Sequence, residues 1–341
     1  MSFMKHLTNK NNDDIDYKNE YENCLKSYEE EKNKNKKITK QVKKLKKSNA
    51  NLKKRFKKLQ KENMDLKLLV PHDAARIYLY KRATGKDLNL ENPKDFNEKI
   101  NWLILNRYGP REAKFSDKHL VKQIVEDMNI DNLHIIKTYK IYNDADEIDI
   151  DELPEKFVLK CNHFSGRVFI CRDKSTFDLN KAKIILNKQL SRSFSYTCFE
   201  YHYDYIEPCI IAEELLEDSQ NEDLIDYKFY CFDGKTEDLL VCTGRNIDLK
   251  LDDYDINWNK REFSYDEYIS EDKLKKPKNF ETMVEIAEKL SENHTFVRID
   301  LYNIDGKIYF GEYTFTPGAG IITHYKQEAL DYLGSKINLS P

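Results

Sequence analysis

FVRIDLYNIDGKIYFGEYTFT, residues 296–316, is the stretch that decides the fold of the C-terminal part of this chain. Apolar and polar residues alternate on both sides of Asp305-Gly306, the pattern of a β-hairpin. A three-residue loop, Ile304-Asp305-Gly306, suits the composition, because its third position favours a left-handed residue and glycine adopts that conformation without steric cost. This register sets Arg298 opposite Glu312 and Asp300 opposite Phe310. Residues of one parity share a face, so Arg298, Asp300, Glu312 and Thr314 are predicted to project together. A two-residue loop would split them between faces. Two carboxylates on one face repel each other unless a cation joins them. Hard oxygen ligands of this kind suit magnesium, which uses few protein ligands and takes others from nucleotide phosphates. The plainer reading is an Arg–Asp–Glu ladder on a solvated sheet surface.

Outward from this hairpin, DYKFYCFDGK (226–235) and DLLVCT (238–243) read as a second one, turning at Asp233-Gly234. Lys228 sits there between apolar neighbours, where a solvent-facing strand lysine is the plainer reading. FVLKCN (157–162) and RVFICRD (167–173) read as strands around the turn His163-Phe164-Ser165-Gly166. Lys160 closes the first of them, where a lysine can neutralise phosphate while turn amides bind its oxygens. One glycine and no Walker pattern leave an ordinary strand-end lysine as the alternative. IIAEELLE (210–217) begins apolar and ends acidic, so Glu213 and Glu214 either accept from a purine amino group or sugar hydroxyl, or are surface acids.

Helical spacing appears in PKDFNEKINWLIL (93–105), at Phe96, Ile100 and Leu103. In SDKHLVKQIVEDMNI (116–130), Ser116 can cap a helix whose apolar face carries Leu120, Ile124, Val125 and Met128. Further helices are expected over 178–191 and 280–291. Helices interleaved with hairpins define an α+β fold.

The chain has 341 residues and a formal net charge of −3, but the charge is unevenly placed. Residues 1–70 carry 20 Lys/Arg against 10 Asp/Glu, and residues 71–341 carry 37 against 50. The break near Pro71 is the clearest domain boundary. Before it, Ile38, Val42, Leu45, Leu52, Phe56, Leu59 and Leu66 alternate four and three apart, with Asn49 and Asn63 at the remaining seam positions. That spacing predicts a coiled coil, and a seam asparagine fixes register and favours dimers. The expected organisation is a disordered tail (1–20), a basic coiled coil (21–70) and a catalytic domain (71–341). Self-association is therefore expected through the arm. Residues 31–61 hold 15 Lys/Arg, which reads as a solvated helix surface or as a contact for anionic lipid or an acidic polymer. No aromatic or Asn/Gln readout set is interleaved with these charges, which argues against nucleic acid.

No stretch approaches a membrane span, and the first ten residues lack an apolar leader core. Seven cysteines, at 24, 161, 171, 198, 209, 231 and 242, include no CxxC pair. They read as reduced thiols in a cytoplasmic protein, peripheral to the inner membrane face if the arm binds lipid, and not as a zinc site.

Taken in order, PKDFNEKINW, FSDKHLV, LPEKFVLKCNHFSG, IIAEELLED, DYKFYCFDGK and VRIDLYNIDGKIYFGEYTFTPGAG resemble the ATP-grasp superfamily, and within it the TupA-like family. The resemblance spans about residues 92–322. That family is linked to teichuronopeptide and other cell-surface polymer biosynthesis. The resemblance implies an ATP-grasp fold, in which two α+β subdomains clasp ATP with Mg2+. It implies that Lys118 and Lys160 bind phosphate, with the 162–167 turn, including Ser165 and Gly166, as a flap. Glu213 and Glu214 would lie at the adenine and ribose edge. Lys228 would lie near the transferred phosphate and substrate, Arg298 would stabilise the phosphoryl transition state, and Asp300 and Glu312 would bind magnesium. Members usually carry Glu-x-Asn at the metal strand. Here Thr314 takes the Asn position, keeping an oxygen at shorter reach and leaving one or two magnesium ions open. The flap is also poor in glycine.

The implied reaction is phosphoryl transfer from ATP to a substrate carboxylate, followed by attack of an amine on the acyl phosphate. The alternatives are a kinase acting on a sugar hydroxyl, a non-catalytic ATP-binding scaffold, and a glycosyltransferase using the acids of Asp252-Asp253-Tyr254-Asp255, which stand in a polar stretch.

Overall fold

The computed structural model describes residues 10–67, 71–166, 168–218, 223–244, 248–271 and 273–340. The chain divides into two units, residues 1–69 and 70–341, next to the charge break at Pro71. The first unit contains one helix, α1 (Lys10–Lys67). It starts ten residues before the expected end of the disordered tail, in a segment with neither proline nor glycine to stop it. Residues 1–9 lie outside the described residues. The seam residues Ile38, Val42, Leu45 and Leu52 stand 43–68% exposed along this helix. The side chains of Phe56, Leu59, Asn63 and Leu66 lie outside the described ones. Among the described residues, no helix is long and apolar enough to cross a membrane.

The second unit opens with α2 (His72–Thr84), α3 (Phe96–Asn106), α4 (Pro110–Ser116) and α5 (Leu120–Asp127). Helix α3 starts where a capping box starts it: Asp95 accepts from the Glu98 amide, and the Glu98 carboxylate accepts from the Asp95 amide. Ser116 does not cap α5, because it is the last residue of α4. The N-cap of α5 is His119, and Asp117 Oδ1 steadies the turn before it by accepting from the amides of His119 at 2.8 Å and Leu120 at 3.2 Å. The face that α5 buries runs through Val121 and Val125, while Leu120 and Met128 are exposed. The expected apolar face is thus displaced by about one residue.

Strands β1 (Leu133–Ile135), β2 (Thr138–Tyr142), β3 (Phe157–Cys161) and β4 (Phe169–Cys171) follow, then α6 (Leu179–Leu190) and α7 (Ser195–Cys198). The chain continues through β5 (Ile210–Glu213), β6 (Asp226–Phe232), β7 (Lys235–Thr243), β8 (Lys250–Tyr254) and β9 (Lys260–Arg261). It closes with α8 (Phe280–Ser291), β10 (Phe296–Ile304), β11 (Lys307–Thr314) and α9 (Gln327–Lys336). These strands form a four-stranded sheet, β2-β5-β3-β4, and a seven-stranded sheet, β1-β11-β10-β6-β7-β8-β9.

The large sheet buries one face against α8 and α5 through Phe229, Val241, Ile299 and Leu301. One end of its other face packs on α3 and α9 through Tyr230, Phe232 and Phe296. The rest of that second face carries the charged side chains Arg298, Asp300 and Lys228. In the small sheet, Phe157, Leu159 and Ala212 pack on α6, so strand alternation turns Val158, Lys160 and Glu213 the other way.

The last hairpin corrects the expected register. Its loop has two residues, because Ile304 pairs with Lys307, and Asp305 (φ 51°) and Gly306 (φ 83°) both take the left-handed conformation of a type I′ turn. Asp300 faces Glu312 and Arg298 faces Thr314, whereas Leu301 faces Phe310. Gly311 is the extra residue, a β-bulge that reverses the parity of β11 beyond it. The four side chains therefore share a face as expected, but through a two-residue loop plus a bulge. A Cβ at Gly311 would lie 2.8 Å from the Asp300 carbonyl oxygen, so the bulge requires glycine.

The 252–255 acids are also placed differently from the sequence expectation. Asp252 and Asp253 lie in β8 with almost no exposure. Asp252 accepts from Ser270, and Asp253 from Ser264 at 2.8 Å and Tyr325 at 2.7 Å. Held inside the domain by hydroxyl groups and by Lys260, 2.7 Å from Asp252, this pair is not a surface metal motif for a nucleotide sugar.

Candidate active site

The part of the large sheet's second face not covered by α3 and α9 carries a row of charge. Arg298 donates to Asp300 from Nε (2.6 Å) and Nη2 (2.8 Å), and from Nη2 to the Thr314 hydroxyl (3.0 Å). Lys228, opposite Asp300 on β6, donates to the other side of the same carboxylate and lies 3.6 Å from Asp226. Glu312 accepts from Thr314 at 3.2 Å and lies 3.5 Å from Lys118 Nζ. Thr314, in the position usually held by asparagine, thus spends its hydroxyl on orienting Arg298 and Glu312. Burial opposes ionisation of Glu312, but Lys118, Lys228, Arg298 and Lys160 outweigh it and hold the carboxyl well below the usual glutamate range. Burial likewise opposes the charge on Lys228, yet Asp300 prevails and its pKa is raised.

The small sheet contributes a second cluster. Lys160 on β3 pairs with Glu213 on β5, and Lys122 Nζ donates to the other Glu213 oxygen at 2.8 Å. Lys122 is fixed further by donating to the Ile136 carbonyl and Thr138 hydroxyl, each at 2.9 Å. Burial disfavours the Glu213 anion, but Lys160 and Lys122 bring its pKa below the ordinary value. Glu213 is only 4% exposed and orients the two lysines at the cavity wall. Glu214 stands beside it and lines the cleft.

Lys118 reaches Glu312 because the turn before α5 is tied to the end of β3. The Lys118 amide donates to the Asn162 carbonyl, and the Asn162 side-chain amide donates to Asp117 at 3.0 Å. Lys122 and Asn162 were not among the expected site residues.

Between the two sheets lies a cavity of about 460 Å³, lined by Val158, Lys160, Ile170 and Glu214 on one side and Asp226, Tyr302 and Gly311 on the other. Ser165 and Gly166 are exposed in the β3–β4 connection and do not line this cavity. The structure thus brings together Lys118, Lys160, Lys228, Arg298, Asp300 and Glu312, with Glu213 and Glu214 at the cavity's edge. It leaves Ser165 and Gly166 outside.

Whether this site fits magnesium can be judged from its donors. Asp300 and Glu312 are cross-strand partners on one face, and a third of the Glu312 side chain is accessible. Two carboxylates suit an ion that draws its remaining ligands from phosphates and water. No group of three or more His, Cys, Asp or Glu side chains positioned for a metal occurs among the described residues. The donor set fits magnesium bound together with a nucleotide. An ion there would compete with Arg298 and Lys228 for the Asp300 oxygens.

A bilobed unit with a charged sheet face, a clasped cavity and converging lysines has the architecture of an ATP-grasp domain. The model of the TupA-like ATP-grasp family matches residues 98–338, and the chain belongs to that family. No curated protein matches it in sequence. Among solved structures, it is similar to D-alanine–D-alanine ligase from Bacillus anthracis complexed with ATP, at 14% identity and a TM-score of 0.34, covering 59% of this chain and 54% of that one. It is similar to the ATP-grasp ligase PsnB complexed with minimal precursor, Mg and ADP, at 14% identity and a TM-score of 0.34, covering 67% and 61%. An L-amino acid ligase from Bacillus licheniformis gives 15% identity and a TM-score of 0.38, covering 60% and 43%. The chain spans less than two thirds of each, and at these values none of them speaks to its substrate.

Proposed function

We propose that this protein is an ATP- and Mg2+-dependent ligase that activates a carboxylate as an acyl phosphate for attack by an amine. The observation that carries this reading is the convergence of Arg298, Lys228 and Lys118 on the carboxylates of Asp300 and Glu312, at the edge of a clasped cavity. Bound Mg-ATP would supply the γ-phosphoryl group. A carboxylate oxygen of the acid attacks the γ-phosphorus, and the bond to the bridging oxygen breaks to release ADP. The amine nitrogen then attacks the acyl carbon, phosphate leaves with the acyl oxygen, and the nitrogen loses a proton. Arg298 and Lys228 hold the incoming carboxylate and counter the charge that develops around phosphorus. Lys118 and Lys160 hold phosphate oxygens, and Asp300 and Glu312 are the metal ligands. Such catalysis is mostly positioning and charge neutralisation.

The family membership supports a place in cell-surface polymer biosynthesis of the teichuronopeptide type. The exposed apolar stripe of α1 supports self-association through a coiled coil, and its basic surface supports a peripheral position on an anionic membrane face. Incubation with ATP, magnesium and a panel of acids and amines tests the reaction by ADP release. Amide product identifies the ligase, whereas a phosphosugar would identify a kinase. ATP binding without turnover across the panel would leave a scaffold. Light scattering tests the arm: the full chain should be oligomeric, and a chain starting near Pro71 should show a smaller state. A monomeric full chain at tens of micromolar sinks the coiled coil.

A further inference from the structure

A second chamber, of about 420 Å³, opens beside the charged row on the same sheet face. Its position follows from strand pairing. Lys228 on β6 faces Leu240 on β7, and Cys242 on β7 faces Leu251 on β8. The face is therefore cationic at Arg298 and Lys228 and becomes apolar across β7 and β8, with Ile322 closing over it. Leu240, Cys242, Leu251 and Ile322 are each under 9% exposed, which makes this wall a built surface.

Arg298 and Lys228 line the chamber, both paired from behind with Asp300, and no acid is among its described lining residues. His324 also lines it, but burial, assisted by Arg298, brings its pKa to about 4, so it is neutral at pH 7. A carboxylate set against Arg298 and Lys228 meets complementary charge, and the rest of the molecule lies against Leu, Cys and Ile side chains. A second carboxylate or a ring of hydroxyls would be desolvated against the Leu, Cys and Ile wall, and a free ammonium would face two cations with no lining carboxylate beside it.

We propose that the acid activated by this protein is a monocarboxylic acid with an apolar body and no free ammonium group, its body seated on Leu240, Cys242, Leu251 and Ile322. This rests on the ligase reading for the chemistry, but the seat can be tested by binding alone. Titration calorimetry on the full chain with Mg-ADP would compare 4-methylpentanoate with leucine, glutarate and glucuronate. Leucine differs from the first acid only by its ammonium group. The expected result is binding of 4-methylpentanoate about tenfold or more tighter than the other three, the scale of discrimination that pocket polarity provides. Cys242→Phe should weaken 4-methylpentanoate by a similar factor and leave Mg-ATP binding, measured in the same way, unchanged. Equal or tighter binding of leucine, glutarate or glucuronate overturns the proposal, as does a failure of all four acids to bind. ADP release with the same acids and hydroxylamine keeps the two readings apart. Binding of 4-methylpentanoate without ADP release counts against the ligase and leaves the seat standing. ADP release driven by glucuronate retains the ligase and removes the apolar seat.

Discussion

The two Asp-Gly hairpins of the large sheet are built alike and deliver opposite chemistry to one face. In β6–β7 the turn is Asp233-Gly234, in β10–β11 it is Asp305-Gly306, and all four residues have positive φ. Each hairpin then slips its register once, between Tyr230 and Cys231 in the first and between Asp300 and Leu301 in the second. The slip in β11 turns Glu312 and Thr314 toward the site. The slip in β7 sets Asp238 opposite Tyr230, so Leu240 and Cys242 face the site while Leu239 and Val241 pack in the core. A bulge changes which residues of a strand are presented without changing the strand. One device thus places charge where phosphate chemistry is proposed and an apolar wall where the acid's body is proposed to lie.

The hairpins should respond differently when broken. Asp300→Asn is the largest expected effect: turnover should fall by orders of magnitude with a proposed metal ligand gone. Arg298 and Lys228 would also lose their shared buried anion, a loss of about 3 kcal/mol in stability. ADP release and denaturant melts check the two parts, and normal turnover would show that the metal had been put on the wrong residues. In the apolar hairpin, Leu240→Ala should cost about 2–3 kcal/mol through lost burial, equally at pH 4 and pH 7, with Mg-ATP affinity unchanged. A loss that varied strongly with pH would contradict an apolar role.

Gly311→Ala tests the device itself. Its methyl group would press on the Asp300 carbonyl, costing about 1–3 kcal/mol. Turnover should drop further than the melt alone explains, because Glu312 and Thr314 shift together. A variant with wild-type turnover would show that the bulge is not what aligns them. The smallest stability effect is expected from Glu312→Gln, since this side chain is partly accessible. The folded state holds the Glu312 pKa below its unfolded value near 4.5. Its stabilising contribution is therefore present above that pH and lost as pH falls through the folded value. The stability gap between wild type and variant should be widest at pH 7 and narrow as pH falls below about 4.5, and melts from pH 3 to pH 7 would show the narrowing. A gap independent of pH would mean that the lysines do not act on Glu312.

Local pattern carried much of this fold. Alternation around Asp-Gly gives both hairpins, and helical spacing gives α3 to within three residues and α8 at its limits, because these signals live within a few residues of chain. The expected face of Arg298, Asp300, Glu312 and Thr314 was also legible, but the route to it was not. A glycine inside a strand pattern signals a bulge, and Gly311 was the residue to weigh. The face of α5 was displaced because packing against the large sheet buries Val121 and Val125, a contact that no local period reveals.

Other features depended on residues far apart in the chain. Lys122 and Lys160 meet on Glu213 only because α5, β3 and β5 come together in space. Asp252 and Asp253 read as polar chain, yet Lys260 and hydroxyl groups from Ser264, Ser270 and Tyr325 let them be buried in β8. Sequence by itself determined which residues could carry charge to a nucleotide, because residue type and strand parity are local. Tertiary structure alone decided which of them meet and that an apolar wall stands beside them, because pairing between strands and packing between sheets join residues that no local period connects.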